Sequence, residues 1–116
     1  MNISLKGYHE MVTTLKAGTA VTPGSPVSME ENYTVGDSKS GDLFIGVALH
    51  SEGDCAAVQT HGFVTVGYDD ANSGTPTLGV CPVAAAGSGK IKKLAAGRNV
   101  IVLSLDTTEK TADILL

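Results

Sequence analysis

The chain has 116 residues, a mass of 11.8 kDa and a formal net charge of −4, which is the size of one small domain. Hydrophobic residues make up 42% of it and charged residues 17%, a balance typical of folded chains rather than disordered ones. Two cysteines are too few for a disulfide scaffold, and no apolar run approaches the ~20 residues of a membrane helix. Its first residues lack a secretory signal, so we expect a product made in the cytoplasm with both thiols free.

Apolar residues alternate with small or polar ones along most of the chain. Over residues 43–49, Leu43, Ile45, Val47 and Leu49 fall on one face. Such period-two alternation predicts half-buried strands, and the twelve valines and twelve threonines favour the same structure. The pattern recurs over residues 54–60, 63–68, 100–105 and 111–116.

Glycine-rich and polar clusters separate these segments at short intervals, as in small barrels and sandwiches. We therefore predict a single all-β domain, a small barrel or sandwich of about seven to nine short strands. Residues 1–17 would form an N-terminal arm or a first strand, and residues 18–116 the β domain. Within that domain, residues 89–96 fit either a short helix or an edge strand.

One pattern of five apolar residues occurs twice in the sequence, at a constant offset of 56 residues. It predicts two hairpins of matched length and register, each directing five apolar side chains into a core. Two alternating segments also resemble each other by chance, so a duplicated half-barrel and coincidence both remain open. The first set is Ile45, Val47, Leu49, Ala56 and Val58, and the second is Ile101, Leu103, Leu105, Ala112 and Ile114.

The basic residues cluster late in the chain. Residues 71–105 contain Lys90, Lys92, Lys93 and Arg98 and no acid, whereas residues 1–70 contain nine acids and three bases. Four bases in an acidic protein are too few to neutralise a phosphate backbone, and we expect no nucleic-acid partner. They form either a solvated face or a basic edge that meets an acidic surface on a sister subunit or another partner.

No segment carries a strong signature of catalysis or metal binding. Gly87-Ser88-Gly89-Lys90 lacks the earlier glycine and the following hydroxyl of a phosphate loop, so it predicts a turn before a basic strand. His50, Cys55 and His61, with Cys81 as a fourth ligand, have the right chemistry for zinc but no firm spacing. We expect ordinary surface histidines and a small buried thiol, no cofactor and no enzymatic activity.

Several segments resemble the small β-rich head proteins of tailed phages and prophages, the capsid decoration or cement proteins. The resemblance runs from about residue 18 to the end and rests on turns and strands. Its main features are a Gly-Val-Ala after one strand, a Val-Gln-x-x-Gly before the next and an apolar last strand. The matching segments are Gly46-Val47-Ala48, Val58-Gln59-Thr60-His61-Gly62 and Ile114-Leu115-Leu116, together with Thr22-Pro23-Gly24-Ser25-Pro26-Val27 and Thr75-Pro76-Thr77-Leu78-Gly79.

The resemblance implies a structural virion protein on the outer surface of the capsid. Proteins of this kind are not enzymes, often form trimers and hold neighbouring copies of the major capsid protein together. Their N-terminal segment is often extended, and here Met11–Leu15 would add a strand to an exposed sheet edge. The expected contact residues are then Met11, Val12 and Leu15 in that segment, and Lys90, Lys92, Lys93 and Arg98 in the basic stretch.

Two other function classes stay open. A carbohydrate- or cell-surface-binding module of a phage fibre would need exposed aromatic side chains in a groove, which an aromatic content of 4% disfavours. A small enzyme or metal protein would need His50, Cys55 and His61 to converge. We expect no membrane partner.

Overall fold

A computed structural model describes residues 10–18 and 20–116. This part of the chain is all-β, as predicted, and contains ten strands and no helix. The strand number exceeds the predicted seven to nine because two four-residue strands, β3 and β8, follow tight turns. The strands are β1 (Met11–Ala17), β2 (Pro26–Glu31), β3 (Thr34–Asp37), β4 (Gly46–Glu52), β5 (Cys55–His61), β6 (Phe63–Tyr68), β7 (Gly79–Gly87), β8 (Lys90–Lys93), β9 (Arg98–Asp106) and β10 (Thr111–Leu115).

The strands close into two small five-stranded barrels rather than one. Around the first barrel the order is β1-β3-β2-β4-β5, and around the second it is β6-β8-β7-β9-β10. In the first barrel β1 pairs in parallel with β3 and antiparallel with β5, and in the second β6 pairs in parallel with β8 and antiparallel with β10. Every other pair of strands is antiparallel. The two halves therefore share one topology, which supports duplication over coincidence.

Matching irregularities strengthen the equivalence of the two barrels. In β4 the register shifts between Ala48 and His50, which leaves Leu49 as the extra residue of a bulge. In β9 the corresponding shift leaves Leu103 in that role. By this register β4 aligns with β9 at an offset of 54 residues, whereas β5 aligns with β10 at 56.

The predicted orientation of the repeated side chains is wrong in part. Leu49, Ile101 and Leu103 are 43%, 44% and 40% exposed, so they do not lie in a core. Inside the barrels lie their smaller neighbours, Ala48 in β4 and Val102 in β9. The alternation identified the strands correctly, but it does not say which of the two faces of β4 and β9 lines a barrel.

Each barrel has its own core. The first holds five buried residues, which are Val27, Val35, Ala48, Ala56 and Val58. The second is larger and contains the fully buried side chains of Tyr68 and Ile91 among its members. Nowhere in the described ranges is there a helix that is long and apolar enough to cross a membrane.

Candidate interaction surface

The two barrels are joined by direct backbone hydrogen bonds. The loop between β3 and β4 lies along β7, where the Gly41 N–H donates to the Ala85 carbonyl at 2.8 Å. The Ala85 N–H in turn donates to the Asp42 carbonyl at 2.9 Å. Beside this contact the Lys92 ammonium donates to the Ser40 hydroxyl at 3.0 Å. The loop thus acts as a further strand-like contact that fixes one barrel against the other.

Arg98 holds the other side of the junction. Its guanidinium lies 5.7 Å from the centre of the Phe44 ring and donates to the carbonyls of Ile45 at 3.0 Å and Thr60 at 3.2 Å. A longer hydrogen bond of 3.5 Å reaches the carbonyl of Phe44. Burial between the barrels lowers the pKa of Arg98 from its ordinary value, although an arginine stays charged near neutral pH. The guanidinium is therefore a bridge within the chain.

Gln59 and Gly62 shape the passage from the first barrel to the second. The Gln59 side chain is only 2% exposed, and its amide donates to the carbonyls of His61 at 3.1 Å and Phe63 at 2.8 Å. Between those two carbonyls Gly62 adopts a φ of 99°, which favours glycine. The Val58-to-Gly62 segment that carries part of the resemblance is thus the junction between the barrels.

A row of apolar residues crosses the outside of the second barrel. Val80 in β7 lies opposite Ile101 in β9, Ile101 lies opposite Leu115 in β10, and Leu115 lies opposite Phe63 in β6. Directly paired residues point to the same side of a sheet, so these four side chains form one continuous row. We call it the outer row. Val80 is 69% exposed and Ile101 44%, whereas Leu115 and Phe63 are half-buried.

The equivalent row of the first barrel is covered at three of its four positions. There Val47 takes the place of Ile101, and its paired residues are Pro26 and Gln59. All three are buried, and Val47 belongs to the same hydrophobic cluster as the core of the second barrel. We call this the junction row. The fourth equivalent position, that of Phe63, is Val12, which pairs with Gln59 and is 50% exposed. The main difference between the rows is therefore at Pro26 and Val47, which are buried, and at Val80 and Ile101, which are exposed.

An open depression lies beside the outer row. Met11 from the first barrel lines it together with Ile101, Leu115 and Leu116 from the second, and His61 and Gly62 close the side toward the junction. Its lining is mostly apolar. The depression extends the outer row toward β1, so row and depression form one surface.

The three N-terminal contact residues predicted from the sequence differ in how exposed they are. Met11 and Val12 are exposed at 57% and 50%, whereas Leu15 packs against the core of the first barrel. Their strand, β1, is hydrogen-bonded to β5 over most of its length and to β3 at its end. These hydrogen bonds build it into the first barrel, with Leu15 and Ala17 packed against the core, rather than leaving it as a projecting arm. Residues 1–9 lie outside the described residues.

The basic residues do not form one patch. Lys90 is exposed and Lys93 half-buried on β8, while the Lys92 ammonium contacts Ser40 of the first barrel. Arg98 is committed to the junction. Because β8 pairs with both β6 and β7, it is an inner strand of its barrel, neither the helix nor the edge strand left open from the sequence. The predicted turn before it is confirmed, with positive φ angles at residues 87–89.

The candidate metal ligands do not converge. His50 contacts Glu52 at 3.5 Å, Cys55 contacts Asp54 at 3.6 Å, and His61 contacts the Thr60 hydroxyl at 3.1 Å. Cys81 is buried in the core of the second barrel. Over the described residues no three His, Cys, Asp or Glu side chains lie close enough to hold a metal ion.

One ion pair stands out at the end of the second barrel. The Lys110 ammonium donates to an Asp70 carboxylate oxygen at 2.9 Å. This hydrogen bond and the positive charge lower the pKa of Asp70, and the carboxylate raises the pKa of Lys110 in the same way.

No protein-family model matches this chain, and no curated protein matches it significantly. The functional conclusion therefore depends on the surface described above and on the residues that carry the resemblance. Sequence analysis missed the outer row because it assigned Ile101 and Leu103 to a core. The signal that could have found the row is that all four residues 100–103 are apolar, because a strand with two apolar faces implies that both faces are covered.

Proposed function

We propose that this chain is a non-enzymatic structural protein that decorates the outer surface of a tailed-phage or prophage capsid, as a trimer. In this role it stabilises the shell through non-covalent contacts with the major capsid protein. The observation that carries the proposal is the outer row, an exposed apolar strip on a rigid sheet. Contiguous exposed apolar surface of this kind marks sites of protein–protein contact.

The construction of the molecule suits a cementing role. Two closed barrels leave few free sheet edges, and edges are where unwanted strand pairing begins. Arg98, Gln59 and the loop at Gly41 fix the barrels to each other, so a load applied to one is passed to the other. A shell carries many copies of such a protein, and individually weak contacts then add through avidity.

The fold explains why two of the segments that resemble decoration proteins contain a glycine. Gly46 begins β4 where an added Cβ would lie 2.2 Å from the Gln59 carbonyl oxygen, so the strands can approach only with glycine there. Gly62 turns the chain between the barrels. Two of the glycines in the segments that carry the likeness, Gly46 and Gly62, thus have a structural role in the first barrel and in the junction.

The experiment is co-sedimentation of the purified chain with expanded, empty heads assembled from the major capsid protein of the same phage genome. We expect the chain to pellet with the heads at saturating stoichiometry and to raise the temperature at which they break. Unexpanded heads are the control and should bind less. A chain that stays in the supernatant at every concentration would refute the proposal. Binding to bacterial surface polysaccharide instead would favour the fibre-module alternative, for which Tyr33, 80% exposed, is the available aromatic among the described residues.

A further inference from the structure

The outer row has no cover within the described chain, although its counterpart does. We infer that a second copy of this chain covers the outer row, in the way that the second barrel covers the junction row of the first. The inference deepens the trimer of the proposed function and rests on it. It specifies which face joins the copies and predicts that the contact is head-to-tail.

The outer row is flanked by further exposed apolar side chains. Beside Val80 and Ile101 lie Leu78, 66% exposed, and Leu103, 40% exposed. Leu78 immediately precedes β7, and Leu103 is the bulge residue of β9, so both adjoin the row at neighbouring register positions. Four large aliphatic side chains on two adjacent strands form a strip with no charged residue among them.

The contact between the two equivalent barrels shows how a further copy would bind. Within the chain, Val47 of the first barrel packs with the core residues of the second, while Gln59 donates to the Phe63 carbonyl. In this contact the junction row of the first barrel meets a different surface of the second barrel, so the contact is heterologous. The second barrel's own equivalent of the junction row, which is the outer row, is then left without a partner within the chain. The first barrel of another copy has the fold needed to continue the array.

The two barrels also differ in net charge. Residues 11–61 contain six acids and two bases, and residues 62–116 contain five of each. A head-to-tail contact brings the acidic first barrel of one copy against the second barrel of another, in which acids and bases balance. A contact between two first barrels would instead place two acidic surfaces together, which costs free energy.

The test is the mass of the protein in solution, measured by sedimentation equilibrium from micromolar to millimolar concentration. The unchanged chain should exceed 11.8 kDa and approach three times that mass as concentration rises. Ile101→Asp should weaken self-association by at least about tenfold, because it places an unpaired charge in the centre of the contact. Ile101→Lys should weaken it less, because the surface it meets carries excess acid.

The matched control is Leu49→Asp, since Leu49 is 43% exposed, close to the 44% of Ile101, and lies on β4 beside the junction row rather than the outer row. Thermal unfolding of each variant verifies that it folds. A chain that stays monomeric at every concentration, or an oligomer that Ile101→Asp leaves intact, would overturn the inference. Equal effects of Asp and Lys would overturn the head-to-tail arrangement. Head binding is measured separately, so its failure would count against the proposed function and not against the self-association face.

Discussion

The two barrels have one topology but very different interiors. Tyr68 in β6 lies opposite Ile91 in the second barrel, and the equivalent pair in the first is Ala17 opposite Val35. The second core can therefore hold larger side chains at the same strand positions, and it also receives Phe44 from the first barrel. The comparison shows that strand pairing defines the unit, whereas core volume differs between its two copies. The first barrel depends on the second for part of its cover.

The largest expected effect is in the second core. Ile91→Ala should lower the free energy of unfolding by about 2–5 kcal/mol, because it removes a fully buried side chain and leaves a cavity. Val35→Ala at the equivalent site of the first barrel should cost about 2 kcal/mol. Denaturant unfolding measures both. A larger loss for Val35→Ala would contradict the conclusion that the second core, with its larger side chains, contributes more to stability at this strand position.

The next effect is at the bridge between the barrels. Arg98→Met should destabilise the chain by about 1–3 kcal/mol, because the carbonyls of Ile45 and Thr60 lose a charged donor. Arg98→Lys should recover only part of the loss, since an ammonium cannot reproduce the planar fork of donors. We expect the barrels of the unchanged chain to unfold in one transition, and those of Arg98→Met over a broader one. Full recovery by lysine would contradict the bridging role.

A third comparison tests the closeness of β4 and β5. Gly46→Ala should cost about 1–3 kcal/mol, because the new methyl group overlaps the Gln59 carbonyl oxygen and must push the strands apart. Gly67→Ala on β6 is the control, because its nearest neighbour would be the Lys90 side chain at 3.4 Å. Thermal unfolding of the two variants gives the difference. Similar behaviour of both would show that the strands adjust easily.

The smallest effect concerns an ion pair found in one barrel only. Lys110 has Asp54 as its equivalent in the first barrel, so the pair with Asp70 has no counterpart there. The lowered pKa of Asp70 means that its contribution to folding is present above the ordinary carboxyl pKa. That contribution is lost as the pH falls through the folded-state pKa. Titration by NMR should show the pKa of Asp70 rising in Lys110→Ala, with little change in stability because the pair is exposed. An unchanged pKa would mean that the pair does not form in solution.

Sequence alone determined the class of structure. The period-two pattern, the many valines and threonines and the spacing of glycine turns predict an all-β domain of short strands, because these are local properties of the chain. Only residues 89–96 stay open between a short helix and an edge strand. The offset of 56 residues pointed to a repeat. The basic stretch was also visible, but the separate positions of Lys92 and Arg98 in the junction were not, because they depend on contacts between residues more than 35 positions apart in sequence.

Tertiary structure decided which face of each strand is the inside. Local alternation assigns two faces to Ile101 and Val102 without saying which of them lines a barrel. In the closed first barrel, Ala48 of β4 points inward. The bulge that Leu49 and Leu103 share gives β9 the same orientation, so that Val102 points into the second barrel. The packing of the second barrel on Val47 then buries one outer face and leaves the other, at Ile101, exposed. The candidate contact surface is thus a consequence of how two copies of one unit stack, which no local pattern encodes.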